Sequence, residues 1–212
     1  MDFITELLKH AIIGYIMAFL GLLSPGFLTL TTLNTAIDRG SKESIKFALG
    51  VVIPIFIQAH LALLGADYLK NHPGLLHDFS GFAAVLFLLM SLWFFYQFFK
   101  TDKKQLKVPA FHIKNSFLYG LFISTINPLA IPFYFTYTTL LELKGVLIIK
   151  EPYISIFVSG AVLGAFTILY IYAKHASKVL GKIQIIARNF KLLLAIVLLI
   201  LSVTSFMAYK NI

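Results

Sequence analysis

The sequence predicts an all-α integral membrane protein with six transmembrane helices. Of its 212 residues, 59% are hydrophobic and only 13% are charged, and the mean hydropathy is +0.87, whereas soluble domains carry roughly 25% charged residues. The charged residues also leave six long apolar windows free. A helix of about 20 apolar residues crosses the roughly 30 Å hydrocarbon core of a bilayer, so each window predicts one crossing.

The six windows contain no Asp, Glu, Lys or Arg, and the first and fourth are the longest. The first is expected to be a retained span and not a secretory signal, because Asp2 and Glu6 precede it and no small-residue cleavage pattern follows it. The tails and loops are too short for a soluble catalytic domain, so any chemistry is expected among the helices. The windows are Ala11–Ile37, Phe47–Ala66, Phe79–Phe99, Asn115–Leu141, Pro152–Ala173 and Leu192–Tyr209.

Lysine and arginine are concentrated in the first, third and fifth loops. Because cytoplasmic loops carry the excess of these residues, the pattern predicts that these three loops are cytoplasmic and that both termini lie outside. The fifth loop, 174–191, spaces its lysines at helical intervals among aliphatic residues. That pattern is typical of a basic amphipathic helix on an anionic membrane surface. The net charge of +9 therefore predicts contact with lipid and no nucleic-acid partner.

The first and fourth windows each contain a proline well inside the apolar run, and Pro128 follows Pro25 by 103 positions, about half the chain. The fourth span lies three spans after the first. Since an odd number of spans reverses direction, the two halves are expected to cross the membrane in opposite senses. The sequence therefore predicts an inverted repeat of three plus three helices, 1–107 and 108–212, within a single membrane domain.

Proline has no amide hydrogen and its ring displaces the carbonyl four residues earlier, so Pro25 is expected to free the carbonyl of Gly21 and Pro128 that of Ser124. In hydrocarbon, freed carbonyls occur only where protein or cavity water satisfies them. Matched breaks in two inverted halves point to a substrate site near the bilayer midplane; ordinary proline kinks packed against neighbours are the alternative. The predicted substrate-binding residues are Ser24, Pro25, Gly26, Ser124, Asn127 and Pro128.

No carboxylate lies inside a window, so His60 in the second window is the main titratable candidate for coupling transport to protons, unless Asp38 or Asp67 reaches inward from a border. Histidine titrates near pH 6.5 in water, and a polar ring inside a membrane is a functional hypothesis by default. The alternative is that His60 is solvated near the outer interface. With Gln58 and Gly21, His60 completes the predicted coupling or gating residues.

Four short motifs follow one another from the first span through the fifth. They are Ser24-Pro25-Gly26, Ala48-Leu49-Gly50, Ala62-Leu63-Leu64-Gly65, and Phe117 with Gly120 ahead of Asn127-Pro128. In that order and spacing they resemble the LysE/RhtB family of bacterial amino acid exporters. The resemblance implies export of amino acids or related small zwitterionic metabolites across the bacterial cytoplasmic (inner) membrane, driven by the membrane gradient.

A site made of amide hydrogens, freed carbonyls and hydroxyls suits a zwitterion whose carboxylate faces a helix start and whose ammonium meets carbonyls. Moving a bare positive charge outward against an inside-negative potential costs about 2.3 kcal/mol per 100 mV, so a cation would need proton entry in exchange. We expect alternating access by rocking of two three-helix halves, coupled to protons. The expected partners are a small-molecule substrate and membrane lipid, without a cofactor.

Two other functions stay open from the sequence. One is efflux of divalent metals or other small ions, although the histidines lack ligand spacing apart from His72 and His77. The other is a non-transporting structural subunit, which needs no motif but does not account for two matched breaks. An enzyme is not expected, because paired aspartates, a serine with a histidine base and a zinc helix are all missing, and the lack of cysteine excludes thiol chemistry. The oligomeric state is left open.

Overall fold

A computed structural model describes residues 3–23, 26–100 and 113–211. Within these ranges the chain is helical, with short connecting segments and no β-strand. The long last helix is kinked at His175, whose φ of −119° and ψ of 26° are not helical. The helices are α1 (Phe3–Leu23), α2 (Phe27–Arg39), α3 (Ser41–Lys70), α4 (Pro73–Phe99), α5 (Ser116–Thr125), α6 (Ala130–Leu143) and α7 (Tyr153–Asn211).

Several helices are long and apolar enough to cross a membrane, which confirms the prediction of a multi-pass helical protein. Among the described residues four segments qualify alone, and α5 with α6 makes a fifth if the pair, bent by 59°, is one crossing. The apolar stretch Ala195–Met207 within α7 is shorter, so six crossings stay a prediction. The four segments are Phe3–Leu23, Ser41–Leu69, Ser80–Phe99 and Tyr153–Val179.

The helices do not end where the charge-free windows end. Helix α1 begins at Phe3 and contains an ion pair between Lys9 and Glu6, with 2.6 Å between the nitrogen and the oxygen. The two residues lie one helical turn apart, and because the pair balances both charges, they do not stop the helix. The expected single span Ala11–Ile37 is in fact two helices, and α1 alone is long enough to cross.

The chain forms two compact units. The first comprises Met1–Asp67 and Val108–Gly181, and the second comprises Tyr68–Lys107 and Lys182–Ile212. Each unit thus combines segments from the two halves of the sequence. The boundary between the two repeats at residue 107 is a different division of the chain, and it stays a prediction.

In the first unit, α1 packs against α7 through glycines. A Cβ on Gly14 would collide with the carbonyl oxygen of Phe157, and a Cβ on Gly160 would collide with that of Ala11. Lipid is as apolar as a leucine side chain, so helices in a membrane associate through close packing and not through hydrophobic burial. The absence of side chains at these two positions therefore allows the backbones to approach.

Helices α3 and α5 of the first unit pack in the same way. A Cβ on Gly50 would collide with the carbonyl oxygen of Phe117, and a Cβ on Gly120 would collide with that of Phe47. Here each helix provides one glycine and one carbonyl, whereas α7 provides a second glycine, Gly164, against the carbonyl of Tyr15 in α1. The first unit therefore contains two reciprocal glycine contacts.

The two glycine contacts correspond position by position. Gly120 of α5 follows Gly14 of α1 by 106 positions, and Gly160 of α7 follows Gly50 of α3 by 110 positions. Adding 106 to the α1 positions and subtracting 110 from the α7 positions converts the contacts of α1 with α7 into those of α5 with α3. One mode of helix packing is therefore used twice.

In the second unit, α4 pairs with the end of α7. The hydroxyl of Ser91 donates to the carbonyl of Ala195, and the hydroxyl of Ser202 donates to that of Ala84, both at 2.8 Å. Ser202 follows Ser91 by 111 positions, and Ala195 follows Ala84 by the same 111. The contacts run in opposite order along the two segments, so the segments are antiparallel. Their core consists of Ala83, Phe87 and Leu198.

Gly120→Ala is expected to destabilise the protein, because the new Cβ meets the backbone of Phe47, which cannot rotate away. Overpacking of this kind costs about 1–3 kcal/mol. Gly65→Ala is the matched control on α3, since a Cβ there meets nothing within 4 Å. The melting temperature of the purified protein in detergent measures the difference. Equal melting of the two variants would contradict the proposed role of the glycine contact.

Candidate functional site

The first break separates α1, which ends at Leu23, from α2, which begins at Phe27. Ser24 and Pro25, two of the predicted substrate-binding residues, lie outside the described residues. Gly26 precedes α2 in an extended conformation without a side-chain cap, and a Cβ there would meet nothing within 4 Å. The first amides of a helix have no partner within the helix. The start of α2 therefore presents backbone donors to the break.

Hydroxyl groups cap the carbonyls at the end of α1. The hydroxyl of Thr29 donates to the carbonyl of Leu22 at 3.1 Å, and the hydroxyl of Tyr172 donates to that of Leu23 at 2.6 Å. Both donor residues are buried. Tyrosines near the ends of spans are typical of interface belts, and no local pattern marks Tyr172 as an exception.

The second break separates α5, which ends at Thr125, from α6, which begins at Ala130. The side-chain nitrogen of Gln58 donates to the carbonyls of Ser124 at 3.1 Å and Thr125 at 3.3 Å. The carbonyl of Ser124 is the one that Pro128 was expected to free. It also accepts the backbone amide of Asn127 at 3.2 Å, so its hydrogen bonds come both from the break itself and from α3.

Each break is capped from the helix that packs beside the broken one. Gln58 lies on α3 beside α5, and Tyr172 lies on α7 beside α1. Gln58 follows Gly50 by eight positions, whereas Tyr172 follows Gly160 by twelve. The difference of four residues is about one helical turn.

The distances from the contact glycines to the two breaks also differ by about one helical turn. Helix α1 ends nine positions after Gly14, and α5 ends five positions after Gly120. The predicted pairing of Pro25 with Pro128, at 103 positions, therefore needs correction, because the glycine contacts of these helices correspond at 106 positions. The second break comes about one turn earlier than a strict repeat requires, and its cap is displaced with it.

Three of the predicted substrate-binding residues are described at the second break. Ser124 is fully buried and its hydroxyl donates to the carbonyl of Val51 at 2.8 Å, which links α5 to α3. The side-chain oxygen of Asn127 accepts the amide hydrogen of Leu129 at 3.3 Å, so Asn127 shapes the turn. Pro128 is exposed. Contact of these residues with a substrate stays a prediction.

The two broken helices meet near their breaks. The ring of Phe133, early in α6, packs on Gly21 near the end of α1, where a Cβ would come within 2.7 Å of the ring. Helix α2 also contacts α5. Gly21, a predicted gating residue, therefore leaves the space that an aromatic ring of the other broken pair occupies.

His60 lies on α3 with its ring mostly buried, and its Nε2 is 3.5 Å from the carboxylate of Glu151, just before α7. The same carboxylate accepts the hydroxyl of Ser155 at 2.8 Å. The Nδ1 of His60 has no hydrogen-bond partner among the described residues. Sequence analysis missed this pair because Glu151 belongs to a loop 91 positions away, and only the fold brings it to His60.

A second carboxylate joins the start of α3 to the start of α5. Glu43, in the first turn of α3, accepts the hydroxyl of Ser116 of α5 and the ammonium of Lys46, both at 2.6 Å. Arg39, at the end of α2, donates to the carbonyl of Ile113 at 2.9 Å. The carboxylates of Glu43 and Glu151 thus each reach a neighbouring helix, although the sequence pointed to Asp38 and Asp67 as the border residues.

His10 of α1 is buried, and both of its ring nitrogens have partners. Nδ1 is 2.7 Å from the carbonyl of Glu6, and Nε2 is 2.9 Å from the amide of Ile148. The carbonyl must accept and the amide must donate, so the ring is the neutral tautomer with its proton on Nδ1. In the part of the chain that the structure describes, no group of three His, Asp or Glu side chains could hold a metal ion.

Broken membrane helices whose freed backbone groups meet buried polar side chains are typical of secondary transporters. The chain belongs to the LysE type translocators, because residues 19–209 match that family. The resemblance seen in the motifs is thereby confirmed, and the protein is a multi-pass membrane protein of a family of transporters.

The similar curated proteins are threonine efflux proteins. Those of Escherichia coli strain K12 and Escherichia coli O157:H7 are each 28% identical to this chain over 141 residues, which is 63% of this chain and 63% of the relative. The chain thus spans less than two thirds of the length of these relatives. No solved structure matches the chain.

Tyr172→Phe removes the hydroxyl that caps the carbonyl of Leu23. A buried carbonyl that loses its donor destabilises a protein by about 1–3 kcal/mol, so we expect a lower melting temperature in detergent. Tyr170→Phe is the matched control, because it removes the same group from an exposed tyrosine of α7. If the two variants have the same melting temperature, the hydrogen bond from Tyr172 does not stabilise the break.

Proposed function

We propose that the protein is a secondary transporter of the bacterial inner membrane that exports amino acids, or related small zwitterionic metabolites, from the cytoplasm. The observation that carries this proposal is the pair of broken helices whose end carbonyls are met by Tyr172 and Gln58. Irregular backbone at membrane depth is tolerated only where it is buried in protein or lines a cavity. In secondary transporters, such breaks form the substrate site.

The proposed substrate class follows from the groups at the two breaks. The start of α2 at Gly26 offers amide hydrogens without a side-chain cap, which favours a carboxylate. The end of α5 places the partial negative charge of the helix dipole at the second break, which favours an ammonium group. Neither broken window contains an Asp, Glu, Lys or Arg, so a zwitterion is preferred to a bare ion. The relatives are named for threonine efflux, which makes threonine the first compound to test.

Alternating access by two inverted three-helix halves is supported by the repeated contacts. Helices α1 and α7 pack as α5 and α3 do, at shifts of 106 and 110 positions, and the reciprocal bonds of α4 with the end of α7 repeat at 111. Three similar shifts support two halves, 1–107 and 108–212. The proposed fold has six crossings with both termini outside, as the charge pattern of the loops predicts. In this mechanism, rocking of the halves exposes the breaks to each side of the membrane in turn.

Proton entry is the proposed driving force, with His60 and Glu151 as the proton site. A protonated His60 is attracted to the carboxylate 3.5 Å away, and a neutral ring loses that attraction. Glu151 also binds Ser155 in the first turn of α7. The charge of one ring therefore affects the contact between α3 and α7, which is what coupling requires.

Purified protein in proteoliposomes is expected to transport threonine or another zwitterionic amino acid. Asn127→Ala and Ser24→Ala should each lower the flux about tenfold or more, as expected for losing a hydrogen bond to a charged group. Thr167→Val is the control, since that hydroxyl donates within its own helix. If wild-type protein moves no amino acid, the proposed function is wrong. If both variants transport like the wild type, only the site assignment is wrong.

His60→Gln is expected to abolish the response of flux to an imposed pH gradient, because the amide cannot take up a proton. Counterflow of amino acid, which needs no net proton movement, should continue. His72→Gln is the control, because His72 is an exposed ring stacked on Tyr68 just before α4. A gradient response that persists in His60→Gln would refute the assignment of the proton site.

A further inference from the structure

We propose that the side-chain oxygen of Gln58 is the acceptor that binds the ammonium group of the substrate at the second break. The proposal rests on the proposed function and deepens it by assigning one half of the substrate site. From the sequence alone, Gln58 was predicted for coupling or gating. Its contacts give it a direct role in recognition.

The orientation of the Gln58 carboxamide follows from its two contacts. The carbonyl oxygens of Ser124 and Thr125 lie 3.1 and 3.3 Å from the same terminal atom. Carbonyl oxygens only accept hydrogen bonds, so the atom that faces them is the nitrogen. The oxygen, Oε1, is bonded to the same carbon of the planar carboxamide and points away from these carbonyls.

Oε1 of Gln58 is a buried acceptor without a hydrogen-bond donor among the described residues. The residue as a whole is only 9% exposed. Leaving a buried acceptor unpaired is destabilising, and capping of the α5 carbonyls uses only the nitrogen of the carboxamide. Oε1 can therefore accept a donor that none of the described residues provides.

The end of α5 beside the Gln58 carboxamide favours a positively charged donor. The carbonyls of Ser124 and Thr125 lie at the end of α5, where the helix dipole places partial negative charge. A carboxylate would be repelled by these oxygens. An ammonium group donates three hydrogens and carries the complementary charge, so it is the group of a zwitterion that this break recognises.

The first break has the opposite character. Its end carbonyls are already capped by the hydroxyls of Thr29 and Tyr172, and the start of α2 at Gly26 supplies amide donors. The second break retains a free acceptor at Gln58. Because one break is rich in donors and the other in acceptors, the pair holds a zwitterion in one orientation.

The test compares threonine with 3-hydroxybutyrate, which lacks only the amino group. If another amino acid gives the highest flux, that compound and its analogue without the amino group replace the pair. Titration of purified wild type, Gln58→Met and Gln97→Met gives the Kd of both compounds. Gln58→Met keeps the side-chain length but has no oxygen, so the preference for the amino acid should fall by about 10- to 150-fold. Gln97→Met makes the same change on α4 and should keep the preference.

Gln58→Glu separates recognition from helix positioning. It keeps an oxygen at the recognition position, so the preference for threonine should not fall. If Gln58→Met keeps the preference, or if Gln58→Glu loses it as fully as Gln58→Met does, the inference is overturned. If wild-type protein neither binds nor transports any amino acid, the proposed function fails. Normal amino acid flux together with unchanged preference in Gln58→Met refutes only the inference.

A labelling experiment keeps the inference testable if Gln58→Met does not fold. The chain has no cysteine, so Thr125→Cys introduces a single thiol at the second break, at an exposed position. Threonine should slow the reaction of this thiol with a maleimide, and the same concentration of 3-hydroxybutyrate should not. Equal protection by the two compounds overturns the inference.

Discussion

A backbone carbonyl inside hydrocarbon requires a hydrogen-bond donor, and the architecture around both breaks follows from that requirement. A straight helix meets it internally, but α1 and α5 end within apolar windows. Their end carbonyls are met by Tyr172 and Gln58, each from the helix packed alongside. The breaks are therefore stable only as parts of paired helices, which makes the pairs of α1 with α7 and α3 with α5 the basic elements of the first unit.

Glycine sets the register of these pairs. Gly14 and Gly160 let α1 approach α7, and Gly50 and Gly120 let α3 approach α5, so that a side chain further along one helix reaches the end of the other. In the first pair, both the break and its cap lie about one turn further from the glycines than in the second. The two displacements match, so each carbonyl keeps its donor although the two breaks differ in position.

Charged side chains have a separate place from these neutral groups. The carboxylates of Glu43 and Glu151, which contact Ser116 and His60, belong to residues outside the apolar windows. The breaks use hydroxyls, a carboxamide and backbone groups instead. This separation agrees with the proposed transport of a zwitterion, because such a substrate needs no fixed charge in its site.

The sequence by itself determined the multi-pass helical class, the family, and the interruption of the helix around Pro128. Composition, motifs and the missing amide of proline are local properties that need no tertiary contact. The partners were decided only by tertiary structure: Gln58 for Ser124, Tyr172 for Leu23 and Glu151 for His60. Each joins residues far apart in the chain, and which side chain arrives depends on the register of two packed helices. That register comes from backbone contact at glycines, which an apolar pattern does not encode.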